Sequence, residues 1–490
     1  MFDSTTRRFL VLLFALAVWT SVISAQQKKP DERAPTPKEV TRLLYAALHG
    51  GEVQKFASLV DLAGAKERDE FLLYAVSRDK EPPLEIISLL LDKGANVNQP
   101  SRYKTALMHA ASGGYIEIVR LFLAGGAEVN VQTDEGTALM MAVMAGHTEI
   151  VKLLLAAGAD VRAIHRMGDQ PLTMAARQRS YRTPTVAPTA EIMELLLAKG
   201  ADPNARGQWR RTALMYANTA AKVKLLAKSG ADLEATDEEG QTALMKAAAR
   251  GEVAVVNALL ESGAAVNAKD NKGATALLHS LSREYYGYYG EEAKTLPQRR
   301  FEVAQRILLA KNVDLNAQND NGETPLMRAV RLGNVAMVNS LLVKGADTNR
   351  SDHFGDTAFI LAYGAENSEI EKLFPTPSLQ RQPLHVLNAF LRAAIGRKDE
   401  AKVKELLARG ADPNYEYAID YSHPTIKRTM LILAASVGHA GIVQMLLDKG
   451  ANVSAKGLLN GSESGLQYGT ALDAAQNPEV VAILKKAGQD

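Results

Sequence analysis

The sequence contains no cysteine at all. This absence excludes disulfide bonds, thiol catalysis, cysteine-based zinc sites and lipid-modified cysteine, so packing alone has to hold the fold together. Aromatic residues are also scarce at 6%, and one of the two tryptophans lies at the extreme amino terminus. The formal net charge of +2 gives no reason to expect nucleic acid or an acidic membrane as a partner.

Motifs that carry chemistry are missing as well. The nine histidines are scattered, and no His-x-x-x-His or His-Glu-x-x-His pair is present. No Gly-x-Ser-x-Gly elbow and no phosphate-binding Gly-x-x-x-x-Gly-Lys-Ser/Thr loop occurs. We therefore predict no catalytic residues, no metal site and no cofactor, and we interpret His109, His147, His279 and His439 as structural residues.

Long apolar runs are limited to the amino terminus. The run Phe9–Trp19 follows Arg7 and Arg8 and is shorter than the roughly 20 residues that span a bilayer. Small and polar residues follow it up to Ala25. This pattern predicts a signal peptide over 1–25, with an uncleaved anchor as the alternative. The expected location is periplasmic or secreted, in a bacterium, with no membrane span after cleavage.

Residues 26–40 are polar and rich in proline, which predicts a flexible leader. Beyond it one unit recurs. The segment TALM appears at 105–108, 137–140, 212–215 and 242–245, and GADPN appears at 200–204 and 410–414. Together these two landmarks place thirteen unit starts, with undisturbed spacings of 32 or 33 residues: 41, 70, 105, 137, 170, 212, 242, 275, 324, 357, 389, 429 and 470.

The sequence of each unit predicts two helices. The Thr that opens most units is a good N-cap residue. In GTALMMAVMAGH, Leu139, Ala142 and Val143 recur at helical spacing and form one apolar stripe. In TEIVKLLLAAG, Gly158 can end the second helix in a left-handed conformation. Asn, Asp and Gly then predict a turn before the next unit.

The pattern TALMxAAxxGHxEIVxLLLxxGADxN resembles the ankyrin repeat family across about 41–490. The resemblance implies an all-α solenoid of about 13 helix-turn-helix repeats with β-hairpin-like fingers. It also implies a non-catalytic role, in which finger tips and inner helices bind a protein partner. One departure is methionine where the family often has histidine, at Met108, Met140, Met215, Met245 and Met327.

A single unit cannot be stable alone. Ordering its residues costs roughly 1–2 kcal/mol each, whereas its few buried apolar side chains return roughly 1.5–3 kcal/mol each. Neighbouring units must therefore pack side by side, and we predict one continuous solenoid. Repeats 1–10 are expected over 41–373, an irregular proline-containing bend over 374–388, and repeats 11–13 with a carboxy-terminal cap over 389–490.

Departures from the repeat length predict surface features. Repeats 2, 5 and 8 are lengthened between their helices, over 79–83, 179–189 and 283–300, and two later fingers are lengthened over 415–428 and 455–469. The insertion 283–300 is tyrosine-rich. Because no nucleophile or base accompanies them, its tyrosines are interpreted as a contact patch: Tyr285, Tyr286, Tyr288 and Tyr289.

One charge pattern predicts that repeats 5–7 form a bipolar docking surface for a partner with an acidic segment. The fingers that enter repeats 5 and 6 are basic and carry a tryptophan, whereas the next finger is acidic. Trp and Arg are typical anchors of protein interfaces; the alternative is an ordinary exposed turn with a packed Trp. The candidate partner-binding residues, besides the four tyrosines, are Arg162, His165, Arg166, Arg206, Trp209, Arg210, Arg211, Glu238, Glu239, Asn271, Lys272, Asp320, Asn321, His353 and Phe354.

The sequence therefore predicts an exported protein-binding module. One alternative is an inhibitor or protective partner of a toxin or envelope enzyme. Another is a hydrolytic enzyme with residues in the insertions, which the missing motifs oppose. Framework residues determine the packing of repeats and do not identify the partner.

Overall fold

A computed structural model describes residues 36–78, 80–99, 103–177, 189–282, 291–365, 367–374, 382–418, 426–462 and 465–489. The predicted signal peptide, most of the leader and the four tyrosines lie outside these residues. The chain divides into two compact units, 1–160 and 161–490. The first contains repeats 1–4 and the second contains repeats 5–13, and in each the described structure is predominantly helical.

Each of repeats 1–4 contains two helices, which are called its first and its second helix. The helices of the first unit are α1 (Pro37–Gly50), α2 (Val53–Val60), α3 (Ala65–Ser77), α4 (Leu84–Asp92), α5 (Ala106–Gly113), α6 (Ile116–Ala124), α7 (Ala138–Ala145) and α8 (Thr148–Ala156).

Repeats 5–13 continue the same alternation. Their helices are α9 (Pro171–Arg177), α10 (Thr189–Ala198), α11 (Ala213–Tyr216), α12 (Ala220–Lys228), α13 (Ala243–Arg250), α14 (Val253–Glu261), α15 (Ala276–Ser280), α16 (Glu291–Ile307), α17 (Pro325–Arg331), α18 (Val335–Val343), α19 (Ala358–Gly364), α20 (Ser368–Glu371), α21 (Leu384–Gly396), α22 (Glu400–Ala408), α23 (Met430–Val437), α24 (Ala440–Asp448), α25 (Ala471–Ala474) and α26 (Pro478–Ala487).

Threonine N-caps fix where most first helices begin. In repeat 4, the Thr137 hydroxyl accepts a hydrogen bond from the Met140 amide at 3.3 Å, which satisfies one otherwise unpaired first-turn donor. A Thr precedes the first helix at nine of the predicted starts: 105, 137, 212, 242, 275, 324, 357, 429 and 470.

Three first helices begin about one turn before the predicted starts at 41, 70 and 389. Their caps are Thr36, Gly64 and Pro383, which lie outside the repeating Thr pattern. At the first of these, the Thr36 side chain pairs with the Glu39 amide and carboxylate in a capping box. Consequently the last residues of the predicted leader 26–40 belong to α1, and the last residues of the predicted bend 374–388 belong to α21.

The methionines of the four TALM segments, and Met327 of TPLM at 324–327, fill the core. All five are at most 1% exposed. Two of them also cap their own helix start, because the sulfurs of Met108 and Met327 each accept the backbone N–H of the preceding N-cap Thr at 3.4 Å. Methionine thus fills the apolar gap and supplies a weak acceptor at a position where the family often has histidine.

The asparagine that ends GADxN joins consecutive repeats. The Asn204 amide group donates to the Gly230 carbonyl at 3.0 Å, and its oxygen accepts the Asp232 amide at 2.7 Å. The same pair of bonds is made by Asn98, Asn130, Asn267 and Asn414. The second sequence landmark is therefore an inter-repeat contact.

Part of the insertion 283–300 is not a surface loop, in contrast to the prediction. Residues 291–300 are helical and lengthen α16 by several turns. The Arg300 guanidinium is buried and donates to the Ala249 and Ser282 carbonyls at 2.6 and 2.8 Å. The two carbonyls lie near the carboxyl ends of α13 and α15, so Arg300 satisfies acceptors that those helices leave unpaired.

The two lengthened late fingers form antiparallel hairpins. Strand β1 (Glu416–Ala418) pairs with β2 (Lys427–Thr429), with Tyr417 opposite Arg428. Strand β3 (Gly457–Ser462) pairs with β4 (Gly465–Gly469). The Arg428 side chain joins the two hairpins by donating to the Leu458 and Leu459 carbonyls at 2.9 and 2.5 Å. Within the described ranges, no helix combines the length and apolarity needed to cross a bilayer.

Candidate functional site

The fingers that lead into repeats 5–10 end in four-residue turns. At the tip 237–240, the Gly240 amide donates to the Asp237 carbonyl at 3.1 Å, and the Asp237 amide donates to the Gln241 carbonyl at 3.1 Å. Equivalent pairs of bonds close the tips at 165–168, 207–210, 270–273, 319–322 and 352–355. In five of the six, the fourth residue is a glycine with positive φ, as such a turn favours.

Backbone hydrogen bonds connect one tip to the next from repeat 6 to repeat 10. The amides of Glu238, Asn271, Asp320 and His353 donate to the carbonyls of the preceding tip at 2.8–3.2 Å; the acceptors are Trp209, Glu239, Lys272 and Asn321. All eight are residues that the sequence predicts as partner-binding. Their backbones are held in register, and seven of their side chains are exposed while that of Asn321 is half-buried.

An acid at the base of most of these tips is buried and holds the turn. The Asp270 carboxylate accepts the Lys272 and Ala274 amides at 2.9 and 2.8 Å, and its other oxygen bonds to the His279 ring at 2.8 Å. Burial alone would raise the pKa of the Asp270 carboxyl, but these hydrogen bonds outweigh it and hold the pKa below its ordinary value. Asp237 and Asp352 accept tip amides in the same way.

Cationic side chains from the first helices neutralise these acids. Lys246 on α13 is paired with Asp237, Arg331 on α17 contacts Asp352 at 3.1 Å, and Arg177 on α9 contacts Asp169 at 2.9 Å. Asp237 is only 4% exposed and is therefore not a solvated turn acid. These charges belong to the framework that supports the tips.

Arg211 is also part of that framework. Its guanidinium lies 3.3 Å from the Asp237 carboxylate and 3.9 Å from that of Glu239. It also lies over the Trp209 ring, 4.8 Å from the centroid. The basic and acidic fingers that the sequence presents as opposite poles are therefore partly paired with each other.

The tip at 207–210, in the finger that leads into repeat 6, differs from its neighbours. Where the others end in glycine, it has Arg210, and both Trp209 and Arg210 adopt the left-handed conformation, with φ of 55° and 58°. Among the described residues, no other adjacent pair of non-glycine residues does so. Each L-residue in this conformation costs roughly 1–2 kcal/mol. The strained turn holds Trp209 with 46% of its surface exposed.

Apolar side chains that the sequence analysis did not single out lie on the adjacent finger. Ile164 is 60% exposed and Met167 is 48% exposed. The two tips are in contact, because the Gln208 amide donates to Asp169 at 3.1 Å and a Cβ on Gly168 would lie 3.5 Å from the Gly207 carbonyl carbon. One sequence feature could have identified these two side chains: they are large apolar residues inside a turn that is otherwise rich in polar residues.

The remaining predicted residues differ in exposure. Arg162, Arg166 and Arg206 are exposed, whereas His165 and Phe354 are half-buried. Arg162 donates to the Gly200 carbonyl at 3.2 Å, and Arg206 donates to the Thr236 carbonyl at 2.6 Å. Both side chains are thus anchored on a neighbouring finger or loop while their surfaces stay accessible.

Three of the four histidines interpreted as structural have partners in the fold. The His147 ring bonds to the Ser112 carbonyl at 3.2 Å, His279 bonds to Asp270, and His439 lies 3.5 Å from the Glu400 carboxylate. In the part of the chain that the structure describes, no group of three or more His, Asp or Glu side chains is arranged to hold a metal ion.

Comparison with known proteins agrees with this architecture. The family model "Ankyrin repeats (3 copies)" matches 43–133, 123–206, 185–270, 214–287 and 298–375, and the model "Ankyrin repeat" matches 427–458. These matches together cover well over half of the chain.

Curated relatives resemble only part of the chain. It is 32% identical over 190 residues to Ankyrin repeat and KH domain-containing protein mask-1 of Caenorhabditis elegans, and 34% identical over 167 residues to Ankyrin repeat and KH domain-containing protein CBG24701 of Caenorhabditis briggsae. These matches cover 38% and 32% of this chain and 6% of each relative.

A third relative is E3 ubiquitin-protein ligase XBAT33 of Arabidopsis thaliana, 33% identical over 169 residues, or 34% of this chain and 29% of that protein. The chain therefore spans only a small part of the length of these relatives. With repeating helix pairs, hydrogen-bonded finger tips and family matches along most of its length, the chain belongs to the ankyrin-repeat family.

Proposed function

We propose that this protein is exported and binds a protein partner noncovalently through the finger tips of repeats 5–10. Ankyrin repeats generally serve as non-catalytic protein-binding scaffolds, which supports the coarse assignment. The observation that carries the proposal is the tip ladder from Trp209 to His353, in which backbone bonds fix the tips while exposed side chains differ from tip to tip.

The tips suit recognition because their turns are already ordered before a partner binds. Buried acids such as Asp270 and the inter-tip amide bonds hold each turn, so a partner does not have to order it. Preorganisation of this kind reduces the entropic cost of association. The tip side chains include an aromatic residue, both signs of charge and amides, a mixture suited to a protein surface rather than to a uniform polyanion such as nucleic acid.

Affinity capture tests the tip surface. We expect the mature chain to retain a partner from an extract of the organism that encodes it, and a six-fold tip variant to lose that partner by at least tenfold, measured by quantitative mass spectrometry. The tip variant replaces these residues with Ala: Arg166, Trp209, Glu238, Lys272, Asp320 and His353.

A matched control replaces six exposed residues of the second helices with Ala: Glu194, Lys228, Glu261, Arg306, Asn339 and Lys404. Both variants should keep the wild-type circular dichroism spectrum. Equal loss of the partner in the control, or its full retention by the tip variant, would contradict binding through the tips.

Export makes a separate prediction. In a bacterial host, the chain should reach the periplasm with its mass reduced to that of a protein beginning at Gln26, because Phe9–Trp19 has the length of a signal-peptide core. The Leu13→Arg variant, whose apolar core is interrupted, should stay unprocessed in the cytoplasm. Intact-mass measurement of fractionated cells decides, and processing of both proteins to the same extent would refute the assignment.

A further inference from the structure

We propose that the fingers of repeats 5 and 6 form the docking surface for an acidic protein segment that carries one large apolar side chain. This inference rests on the proposed protein-binding function and specifies the chemistry of the partner. It is carried by three observations that converge on adjacent tips: a strained turn, an exposed apolar centre and a basic rim.

The strained turn is the first observation. Trp209 and Arg210 occupy the two central positions of a turn closed by the Arg211 amide and the Gln208 carbonyl at 3.2 Å, and both have positive φ. Such turns favour Asn-Gly, whereas this one contains two bulky L-residues. Neighbouring bonds hold it, since the Trp209 carbonyl accepts the Glu238 amide at 3.2 Å. Strain kept in place by its surroundings is characteristic of functional sites.

The apolar centre is the second observation. Ile164, Met167 and Trp209 are each about half exposed or more, on two tips that touch at Gly168 and Gly207. The Arg211 guanidinium covers part of the indole and fixes the ring, which leaves the rest of its surface for a partner. Aromatic side chains held rigidly in this way are frequent anchors of protein interfaces.

Charge identifies the occupant. Arg166 and Arg210 are exposed, and among the described residues their guanidinium groups make no ion pair; Arg206 is exposed and oriented by its bond to the Thr236 carbonyl. Arg166 adjoins Met167 and Arg210 adjoins Trp209 in the chain, and these cations are complementary to Asp and Glu side chains. A polyanionic strand is disfavoured, because the exposed Glu238 and Glu239 of the adjacent tip would repel its phosphates.

Selection from a phage-displayed library of random twelve-residue peptides tests the proposal with the intact mature chain. We expect the enriched peptides to carry a net negative charge and one large apolar residue. Synthetic fluorescent copies should bind the Trp209→Ala and Arg210→Ala variants at least tenfold more weakly than the wild type. Binding to Arg306→Ala, which removes an exposed arginine from α16, should be unchanged.

The Arg210→Gly variant separates folding from binding. Glycine tolerates positive φ, so this variant should unfold at a temperature higher by about 2 °C than the wild type, yet it should bind the peptides at least tenfold more weakly. Arg210→Lys keeps the charge and should retain most of the affinity. If weaker binding merely reflected damage to the fold, the variants that bind more weakly would also be the less stable ones.

Four outcomes would overturn the inference: enrichment of neutral or basic peptides, equal binding of acidic peptides to the Trp209 and Arg210 variants, tighter binding of a twelve-nucleotide oligothymidylate than of any peptide, or no enrichment at all. In the first two cases the tips would still bind peptides and the proposed function would stand. If no peptide is enriched, the capture experiment with the tip variant that carries six substitutions, and with its control, decides separately whether the proposed function survives.

Discussion

Replacing Phe390 with Ala is expected to lower the free energy of unfolding by about 3–5 kcal/mol, the usual cost of emptying a buried aromatic site. Phe390 lies on α21 and is 2% exposed. Its ring centroid lies 5.1 Å from that of Tyr363 and 5.7 Å from that of Phe359, both on α19. It thus joins repeat 11 to repeat 10 immediately beside the sequence that contains the predicted bend.

The conservative Phe390→Leu variant should lose much less, because it keeps most of the apolar volume. Leu472→Ala, at a site 37% exposed on α25, should change stability by less than about 1 kcal/mol. Urea unfolding followed by circular dichroism gives the free energies, and hydrogen exchange identifies the helices that open. If Phe390→Ala cost no more than Leu472→Ala, the junction between repeats 10 and 11 would not depend on this cluster.

Replacing Asp270 with Ala is expected to cost about 2–4 kcal/mol. Two backbone amides and the His279 ring would lose their acceptor, and a buried donor without a partner costs roughly 1–3 kcal/mol. Asp270→Asn should cost less, because an amide oxygen can still accept the Lys272 and Ala274 amides. The exposed Lys272→Ala variant serves as the nearby control and should be close to neutral.

The stabilisation from Asp270 should also depend on pH. Its pKa is lower in the folded chain than the ordinary value of about 3.9, so the unfolded state binds the proton more tightly. The contribution is therefore complete above about pH 4 and is lost as the pH falls through the folded pKa. The stability difference between wild type and Asp270→Asn should shrink as the pH falls below 4. A difference that grew as the pH fell would contradict the assignment.

The repeats were predictable because their determinants are local. Thr137 caps the helix that follows it, and Met140 packs into the core of the same repeat, so both residues of this TALM segment lie within a few residues of the structure they set. The early starts of α1 and α21 were missed because Thr36 and Pro383 cap those helices outside the repeating pattern. A proline or an isolated Thr has many other uses in a sequence.

The candidate surface was predictable only in part. The exposure of Trp209 and Arg166 agrees with their prediction as tip residues, whereas the engagement of Arg211 depends on Asp237, which lies 26 positions further along the chain. The left-handed conformation of Arg210 likewise follows from the position that it shares with the glycines of neighbouring tips. Contacts between fingers therefore decide which charges face solvent, and the charge pattern along the sequence cannot reveal them.

Photo-crosslinking tests most directly the claim that the tips recognise a protein. Benzoylphenylalanine would replace Glu238 or Lys272 at the tips, and Glu194 or Arg306 on second helices, one position at a time in the full chain. After irradiation in the encoding organism, we expect one shared protein adduct from the two tip positions and none from the helix positions. Adducts from Glu194 and Arg306 with none from Glu238 or Lys272 would contradict the account.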